Sequence, residues 1–289
     1  MNGFNVKFHK FYQTCGKYKC IQEMGGTNIS GADLVIFNER AVTHYKVPRW
    51  KGASLLTAFH SKEPYDHLLL NRKQRERWNG LFNYSVTYAA DSDGSLYSFA
   101  IEVLKRPNSN HTNFAALHKH REARALWFVS HCSHLWKQHR VTSARAEYVQ
   151  ELSKHIRVDA YTKYEGCLDQ LGDLIKNEAN KSEPALGEYT FYLSFESTLC
   201  TDYISEKFWK VLKENGQTIP VALGGRSIEE YTKVAPPNSF IHVRNFTSPK
   251  ALAKHLNYVA DDDKAFNYYH NWRNRYELNK TKHRIEGGM

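Results

Sequence analysis

Short hydrophobic runs alternate with segments of helical spacing through the second half of the chain. Each run predicts a buried strand, and the runs lie at residues 125–132, 156–161, 189–196 and 218–223. Residues 143–155 and 249–262 instead place apolar side chains three and four positions apart, which is typical of helices. Strands that alternate with helices in this way predict β-α-β units around a parallel sheet.

The first half shows the same alternation less clearly. Residues 32–37 and 54–59 are predicted strands, and residues 82–95 alternate before ending in an Asp-Ser-Asp-Gly turn. Asp91 and Asp93 have the D-x-D spacing of some metal sites, but we interpret them as part of that turn. The chain from there to about residue 120 is polar and predicts a loop or linker.

The fold class that this pattern predicts is α/β with two domains. We place an N-terminal domain at 1–120, a C-terminal domain at 121–276 and a tail at 277–289, with the junction near 115–124. Ligands of open parallel sheets bind beyond the carboxyl ends of the strands. The predicted site therefore lies at the segments that leave Phe59, Cys132, Glu196 and Leu223.

One such segment, residues 191–212, reads FYLSFESTLCTDYISEKFWKVL. Thr201 or Asp202 is predicted to cap a helix whose buried stripe and exposed positions are both clear from the spacing. The buried stripe is Ile204, Phe208, Val211 and Leu212, and the more exposed positions are Tyr203, Glu206, Lys207 and Lys210. A helix N-terminus with a nearby lysine indicates a phosphate site. An ordinary capped surface helix is the alternative.

Composition and charge narrow the function classes. The chain has 289 residues, 41% of them hydrophobic, and a formal net charge of +10. No apolar run is long enough to span a membrane, and the first residues lack the apolar core of a signal peptide. The basic residues are spread along the chain without a nucleic-acid-binding motif, so we do not expect a nucleic-acid partner. The positive net charge therefore indicates either an ordinary solvated basic surface or a partner that carries phosphates.

Sequons and cysteines favour a secretory-pathway protein. Six asparagines occur in N-x-[ST] sequons and are candidate glycosylation sites, namely Asn28, Asn83, Asn110, Asn180, Asn245 and Asn279. The five cysteines include no C-x-x-C pair, so one or two disulfides or buried thiols are expected instead of a zinc site. The spacing of His131, His134 and His139 matches no metal pattern, and we predict no metal ligands.

Residues 191–212 also resemble a known family. FEST at 195–198 followed by DYISEK at 202–207 resembles the donor-binding signature of the α1,3-fucosyltransferases, which reads F-E-N-S and then D-Y-I-T-E-K. The likeness covers about residues 30–276, and its further motifs are FNY at 82–84, DSD at 91–93, VSHC at 129–132, SAR at 143–145, IPVALG at 219–224 and WR at 272–273. Ser197 stands where the family has Asn.

The resemblance implies a GT-B fold, with two Rossmann-like domains facing a cleft. It implies an inverting enzyme that moves L-fucose from GDP-fucose to the 3-hydroxyl of a GlcNAc residue in a glycoprotein glycan, with the N-glycan core favoured. It implies no required cofactor, although a divalent cation could stimulate the reaction. The family works in the Golgi lumen behind a membrane anchor that this sequence lacks, so we expect a chain shortened at its start.

Residue roles follow from the resemblance together with the chemistry. Lys207 and Arg145 are the expected cations for the donor phosphates, since negative charge builds on the departing GDP. Glu206 and Tyr203 would hold the fucose, ribose or base, with Glu196 and Ser197 beside them. Arg140 is an alternative to Arg145, because the segment before Arg145 is longer than expected.

Inversion also needs a base that takes the proton of the acceptor hydroxyl. In the family this is a Glu just after a strand of the first domain, and here the segment reads FHSKEP at 59–64. Glu63 is the predicted base and His60 the alternative. The resemblance also implies a disulfide between Cys132 and Cys167. Because His60 stands at the strict position of the base, a catalytically silent relative that binds nucleotide or glycan is the competing hypothesis.

Overall fold

The computed structural model describes most of the chain, namely residues 9–15, 18–24, 31–39, 42, 55–64, 72–95, 100–103, 112–118, 121–129, 144–162, 167, 171–176, 185–213, 217–225 and 227–279. Its strands are β1 His9–Cys15, β2 Tyr18–Met24, β3 Leu34–Asn38, β4 Leu56–His60, β5 Tyr84–Thr87, β6 Gly94–Ser95, β7 Ala100–Val103, β8 Arg124–Phe128, β9 Arg157–Tyr161, β10 Phe191–Phe195, β11 Ile219–Leu223, β12 Ile241–His242 and β13 Tyr276–Asn279. Its α-helices are α1 Arg72–Trp78, α2 Phe114–Leu117, α3 Arg145–Ser153, α4 Glu206–Lys213, α5 Ile228–Val234, α6 Pro249–Asp261 and α7 Asp263–Tyr268.

The second half of the chain forms a five-stranded parallel sheet in the order β12-β11-β10-β8-β9. Numbered along this half alone, the strand order is 2-1-3-4-5, one of the two common doubly wound orders. The chain reverses its direction of winding between β8 and β10, which lie side by side. In such sheets the ligand crevice opens at this switch point, beyond the carboxyl ends of the two strands.

Both faces of this sheet are covered, which explains why its central strands β10 and β11 are almost entirely hydrophobic. On one face, Leu193 of β10 and Val221 of β11 belong to a core that also contains Leu152 of α3 and Leu256 of α6. On the other face, Tyr192 of β10 and Val211 of α4 pack with Leu126 of β8. All five strand residues of β10 and of β11 are buried.

The first half contains a four-stranded sheet in the order β3-β4-β5-β6. Phe37 and Trp78 form a small aromatic core with the partly buried Phe59 and Phe82. Asn83 ties the strands together, since its Oδ1 accepts from Thr57 N at 2.9 Å and Thr57 Oγ1 at 3.1 Å.

Contacts divide the chain into two compact units. One unit comprises Met1–His60 and Leu70–Ser85, and the other comprises Ser61–Leu69 and Val86–Met289. In the larger unit β13 pairs antiparallel with β7, with Tyr276 opposite Val103. The predicted tail at 277–289 therefore begins inside a strand. The predicted domain boundary near residue 120 stays a prediction.

The predicted α/β class with parallel sheets is confirmed. Each predicted strand of the second half is present within a few residues of its expected bounds, and helix α6 starts at the expected proline with Ser248 as its cap. Asp91–Asp93 lies in a turn, as predicted, where the Ser92 hydroxyl accepts from Thr87 N and donates to Gly94 O. None of the helices among the described residues is both long and apolar enough to cross a membrane.

Candidate functional site at the carboxyl ends of the parallel strands

Glu196 is the first residue after β10 and lies at the switch point of the sheet. Its side chain is completely buried, and its Oε1 accepts a hydrogen bond from Ser205 N at 2.8 Å. Burial raises the pKa of this carboxyl, while Lys207 and the hydrogen bonds from Ser205 act in the opposite direction. Glu196 is therefore enclosed by protein, and its role in donor binding stays a prediction.

Arg145 opens helix α3 and points back to the end of β10. It is 8% exposed, its Nη1 donates to Phe195 O at 2.9 Å, and its guanidinium lies 5.9 Å from the Trp127 ring centroid. Burial lowers the pKa of Arg145, whereas the neighbouring Glu196 and Tyr203 favour its charged form. Ala144, directly before it, has a φ of 46°, which turns the chain into the helix.

Helix α4 begins at Glu206, so Glu206 and Lys207 occupy its first turn. The Lys207 side chain is 21% exposed and the Glu206 side chain 68% exposed, with Nζ and Oε1 4.0 Å apart. Glu206 thus faces solvent and Lys207 is largely buried, both at a helix N-terminus where backbone N–H groups and the helix dipole favour anions. The predicted buried stripe is confirmed, because Ile204, Phe208, Val211 and Leu212 are all 5% exposed or less.

The predicted cap of this helix is wrong. Neither Thr201 nor Asp202 adjoins the first turn, and Asp202 instead adopts a left-handed conformation with a φ of 60°. Its backbone N donates to Glu230 Oε2 at 2.7 Å, and its Oδ2 accepts from Ala90 N at 3.1 Å. These two contacts fix the loop, and Glu196 supplies the acceptor for the N–H at the start of the helix.

Tyr203 is also placed differently from the prediction. Its ring is 5% exposed and meets Tyr88 edge to face, with the centroids 5.0 Å apart. The expected position on an exposed helix face is therefore wrong, because Tyr203 precedes the helix and packs inward. Ser197 is half-buried in the same loop.

Gly224 follows β11 and makes room for the carboxylate. A Cβ at this position would lie 2.3 Å from Tyr231 Oη and 2.6 Å from Glu196 Cγ. Only glycine allows these two side chains to approach the backbone so closely. Burial holds the pKa of the Tyr231 hydroxyl well above its usual range, with the Glu196 and Glu230 carboxylates acting in the same direction.

The candidate base lies after β4, at the carboxyl end of another parallel strand. Glu63 is exposed in a short turn in which Ser61 Oγ donates to Glu63 O at 2.8 Å and accepts from Glu63 N at 3.2 Å. His60 is half-buried at the end of the strand itself. The choice between Glu63 and His60 stays a prediction.

Several predicted residues lie outside the described residues or side chains. These are Arg140, Cys132, His131, His134, His139, Asn28, Asn110, Asn180 and the side chain of Asn279. Cys167 is buried and disulfide-bonded, and its partner sulfur lies outside the described side chains. Asn83 and Asn245 are both exposed.

The arrangement brings together Arg145, Lys207 and the N-terminus of α4 around one buried carboxylate. Such a set of cationic and N–H groups suits a diphosphate, which carries negative charge over several oxygens. Within the described part of the chain, no three His, Cys, Asp or Glu side chains are grouped so that they could hold a metal ion.

Sequence reasoning missed the residues that hold this site together. Tyr88 and Glu230 contact the loop from segments far away in the chain, and the Tyr231 hydroxyl lies beside Gly224. Gly224, at the end of a hydrophobic strand, was a visible signal of close packing, but its neighbours could not be inferred from it.

Comparison with known proteins gives a consistent result. Residues 118–287 match the family model described as glycosyltransferase family 10 (fucosyltransferase) C-term. The chain is 36% identical to glycoprotein 3-alpha-L-fucosyltransferase A of Drosophila melanogaster over 87% of this chain and 46% of that protein. It is 33% identical to the Homo sapiens 4-galactosyl-N-acetylglucosaminide 3-alpha-L-fucosyltransferase FUT5 over 70% of this chain and 49% of that protein.

Two further similarities complete the comparison. The chain is 32% identical to alpha-(1,3)-fucosyltransferase fut-1 of Caenorhabditis elegans, over 64% of this chain and 39% of that protein. A crystal structure of an alpha1,3-fucosyltransferase with GDP-fucose aligns at a TM-score of 0.48 and 17% identity, covering 87% of this chain and 71% of that one. The chain spans about half the length of the curated relatives it matches.

Proposed function

Because this chain belongs to glycosyltransferase family 10, the fucosyltransferases, we propose that it transfers L-fucose from GDP-fucose to the 3-hydroxyl of a GlcNAc residue. The proposed acceptor is a glycoprotein glycan, with the N-glycan core as the first candidate. The names of the relatives support this chemistry, since all three are called 3-fucosyltransferases and the Drosophila relative acts on a glycoprotein by its name.

The observation that carries the proposal is the pair of cations at the switch point. Arg145 Nη1 donates to Phe195 O at the end of β10, and Lys207 lies two residues after Ser205, whose N–H donates to Glu196 directly after β10. In fucosyl transfer the sugar–phosphate bond breaks and its electron pair stays with GDP. Preplaced cations and helix N–H groups stabilise that developing charge in the transition state.

In the proposed mechanism the acceptor oxygen attacks the anomeric carbon from the face opposite to GDP. Its proton passes to a general base, for which the Glu63 carboxylate is the candidate and the His60 imidazole the alternative. Exposed at the end of β4, Glu63 is open to solvent and to an acceptor. We propose no required metal or cofactor, because the protein's own cations can balance the diphosphate.

The proposed place of action is the Golgi lumen. A disulfide at Cys167 and exposed sequons at Asn83 and Asn245 suit an oxidising compartment of the secretory pathway. Anchoring to a membrane would have to come from a segment other than the helices described above.

The test is a transfer assay with GDP-fucose and two glycopeptides, one that presents only the core GlcNAc and one with antennal GlcNAc. We expect fucose on the core acceptor, and K207Q to raise the apparent Kd for GDP by roughly tenfold or more, because a charge contact to the phosphates is lost. E63Q should leave GDP binding unchanged and lower turnover by about 100-fold or more.

The outcomes separate the competing functions. Fucose on the antennal acceptor alone would keep the enzyme and correct the acceptor. GDP binding by a folded chain without transfer to either glycopeptide would favour the catalytically silent relative. Lack of both GDP binding and transfer would reject the proposed function.

A further inference from the structure

The buried carboxylate of Glu196 is satisfied on only one side. Its Oε1 accepts from Ser205 N, whereas no hydrogen-bond partner for Oε2 is found among the described residues. Desolvation penalises the charged form of a carboxyl heavily, so the ionisation of a buried carboxyl depends on nearby hydrogen bonds and cations. The Glu196 side chain has 0% exposure, and the Ser205 N–H and Lys207 are groups that favour its ionised form.

Two elements supply positive charge to it. Arg145 of helix α3 donates to the carbonyl oxygen of Phe195, the residue before Glu196, and Lys207 of helix α4 follows two residues after Ser205, whose N–H binds the Glu196 carboxylate. The charge of Lys207 favours the ionised form of Glu196, and Glu196 favours the charged form of Arg145. The other titratable groups that face the carboxylate are Glu206 of α4, which opposes its charge, and the Tyr231 hydroxyl of α5. Glu196 is therefore the negative centre of a cluster whose positive members are the groups proposed to bind the donor phosphates.

The carboxylate is fixed while one of its cations can move. Gly224 leaves no spare room beside Glu196 Cγ, and the Ser205 N–H holds the carboxylate oxygen. Lys207, in contrast, has a flexible stem and a partly exposed side chain. An arriving diphosphate can attract Lys207 outward, but Glu196 cannot follow.

We propose that Glu196 is a positioning residue. Its buried carboxylate is the negative charge that neutralises Arg145 and Lys207 in the empty site, and a bound donor diphosphate takes over this role. The carboxylate keeps the two cations at the end of β10 while the site is empty. It also fixes the start of α4, because it accepts the N–H of Ser205, the residue before the helix. Its negative charge opposes the negative diphosphate, so it weakens ground-state binding and helps GDP to leave. This inference rests on the proposed use of the site for GDP-fucose.

The test is E196Q, which keeps the shape and an oxygen acceptor for Ser205 N but removes the charge. Measured by calorimetry at low salt, the Kd for GDP should fall by roughly 3- to 10-fold, because one repulsive charge near the diphosphate is gone. At high salt the difference in Kd between E196Q and the original protein should be smaller, because ions screen the charges. A purely structural role for Glu196 would predict weaker binding instead.

Two further variants act as controls. E151Q removes an exposed carboxylate from α3, the same helix that bears Arg145, and should leave the Kd for GDP unchanged. E196D keeps the charge but shortens the side chain, so it should bind GDP no more tightly than the original protein.

The result overturns the inference if E196Q fails to fold, or if it folds and binds GDP equally or more weakly. Tighter GDP binding by E196D would overturn it as well, since the charge would then be irrelevant. If the unaltered protein does not bind GDP at all, the proposed function has failed, which is a separate result.

Discussion

At the scale of single residues, the site depends on close approach of polar side chains in a dry environment. The Tyr231 hydroxyl and the Glu196 side chain both lie in the space that a Cβ of residue 224 would occupy, at 2.3 and 2.6 Å from it. A residue with any side chain at position 224 must displace one of these neighbours, and both are buried. The positions of Glu196 and Tyr231 therefore depend on the absence of a side chain at residue 224.

We predict that G224A destabilises the protein by about 1–3 kcal/mol, the usual penalty for overpacking a well-packed core. Chemical denaturation measures the loss.

A second substitution tests the cause. Since the nearest clash is with Tyr231 Oη, Y231F combined with G224A should recover part of the lost stability. G94A is a matched control, because a Cβ at Gly94 would approach no closer than 3.4 Å to Val86. Additive effects of G224A and Y231F would contradict this explanation.

At the scale of elements, local patterns were a reliable guide to strands and helix bodies. The hydrophobic runs that became β10 and β11 are buried on both faces, and burial of that kind leaves a continuous apolar signature in the sequence. Helix α6 was predictable from Ser248 and Pro249, since capping depends on residues only three positions apart.

The start of α4 was not predictable in the same way. Asp202 looks like a cap in sequence, but Glu230 and Ala90 hold it in a left-handed conformation, and they lie 28 and 112 residues away. The acceptor at the helix start comes from Glu196, nine residues upstream on a different element. Tertiary contacts of this kind leave no periodic trace in the sequence.

We predict that S248A destabilises the protein by about 1 kcal/mol. The Ser248 Oγ accepts from Ala251 N at 3.1 Å, and its loss leaves that N–H at the start of the thirteen-residue helix α6 without its acceptor. Thermal or denaturant unfolding measures the loss.

Helix α5 offers the matched comparison. Ser227 stands at its N-cap but accepts no hydrogen bond there from the helix backbone. S227A should therefore have a smaller effect than S248A, and an equal or larger one would contradict the assignment of the cap.

At the scale of the whole molecule, buried histidines couple stability to acidity. Burial lowers the pKa of His270 to about 3, with Arg273 and His118 acting in the same direction, and burial lowers the pKa of His242 to about 4. The folded protein therefore keeps both rings neutral at pH values where the unfolded chain protonates them. Their contribution to stability is present above the unfolded value near 6.5 and is lost as the pH falls toward the folded values.

We predict that the free energy of unfolding falls between pH 6.5 and pH 5. In the H270F variant, the slope of the free energy of unfolding against pH should be smaller by about 1.4 kcal/mol per pH unit at the lower end of this range. The Phe114 and Phe266 rings, with centroids 5.4 and 4.6 Å from that of His270, provide an aromatic setting for the substitution. Comparison of slopes removes any constant effect of the new ring. Parallel slopes would show that His270 titrates alike in both states.

The pairing of β7 with β13 has a consequence for synthesis on the ribosome. Residues 100–103 emerge early, whereas the strand that completes their sheet, Tyr276–Asn279, is among the last described residues to be made. During translation the early strand has an unpaired edge, which is the kind of surface that chaperones cover and that aggregates use. A chain that ends before residue 276 would keep the edge of β7 unpaired. We therefore expect such shortened chains to be recognised by chaperones more than the full chain.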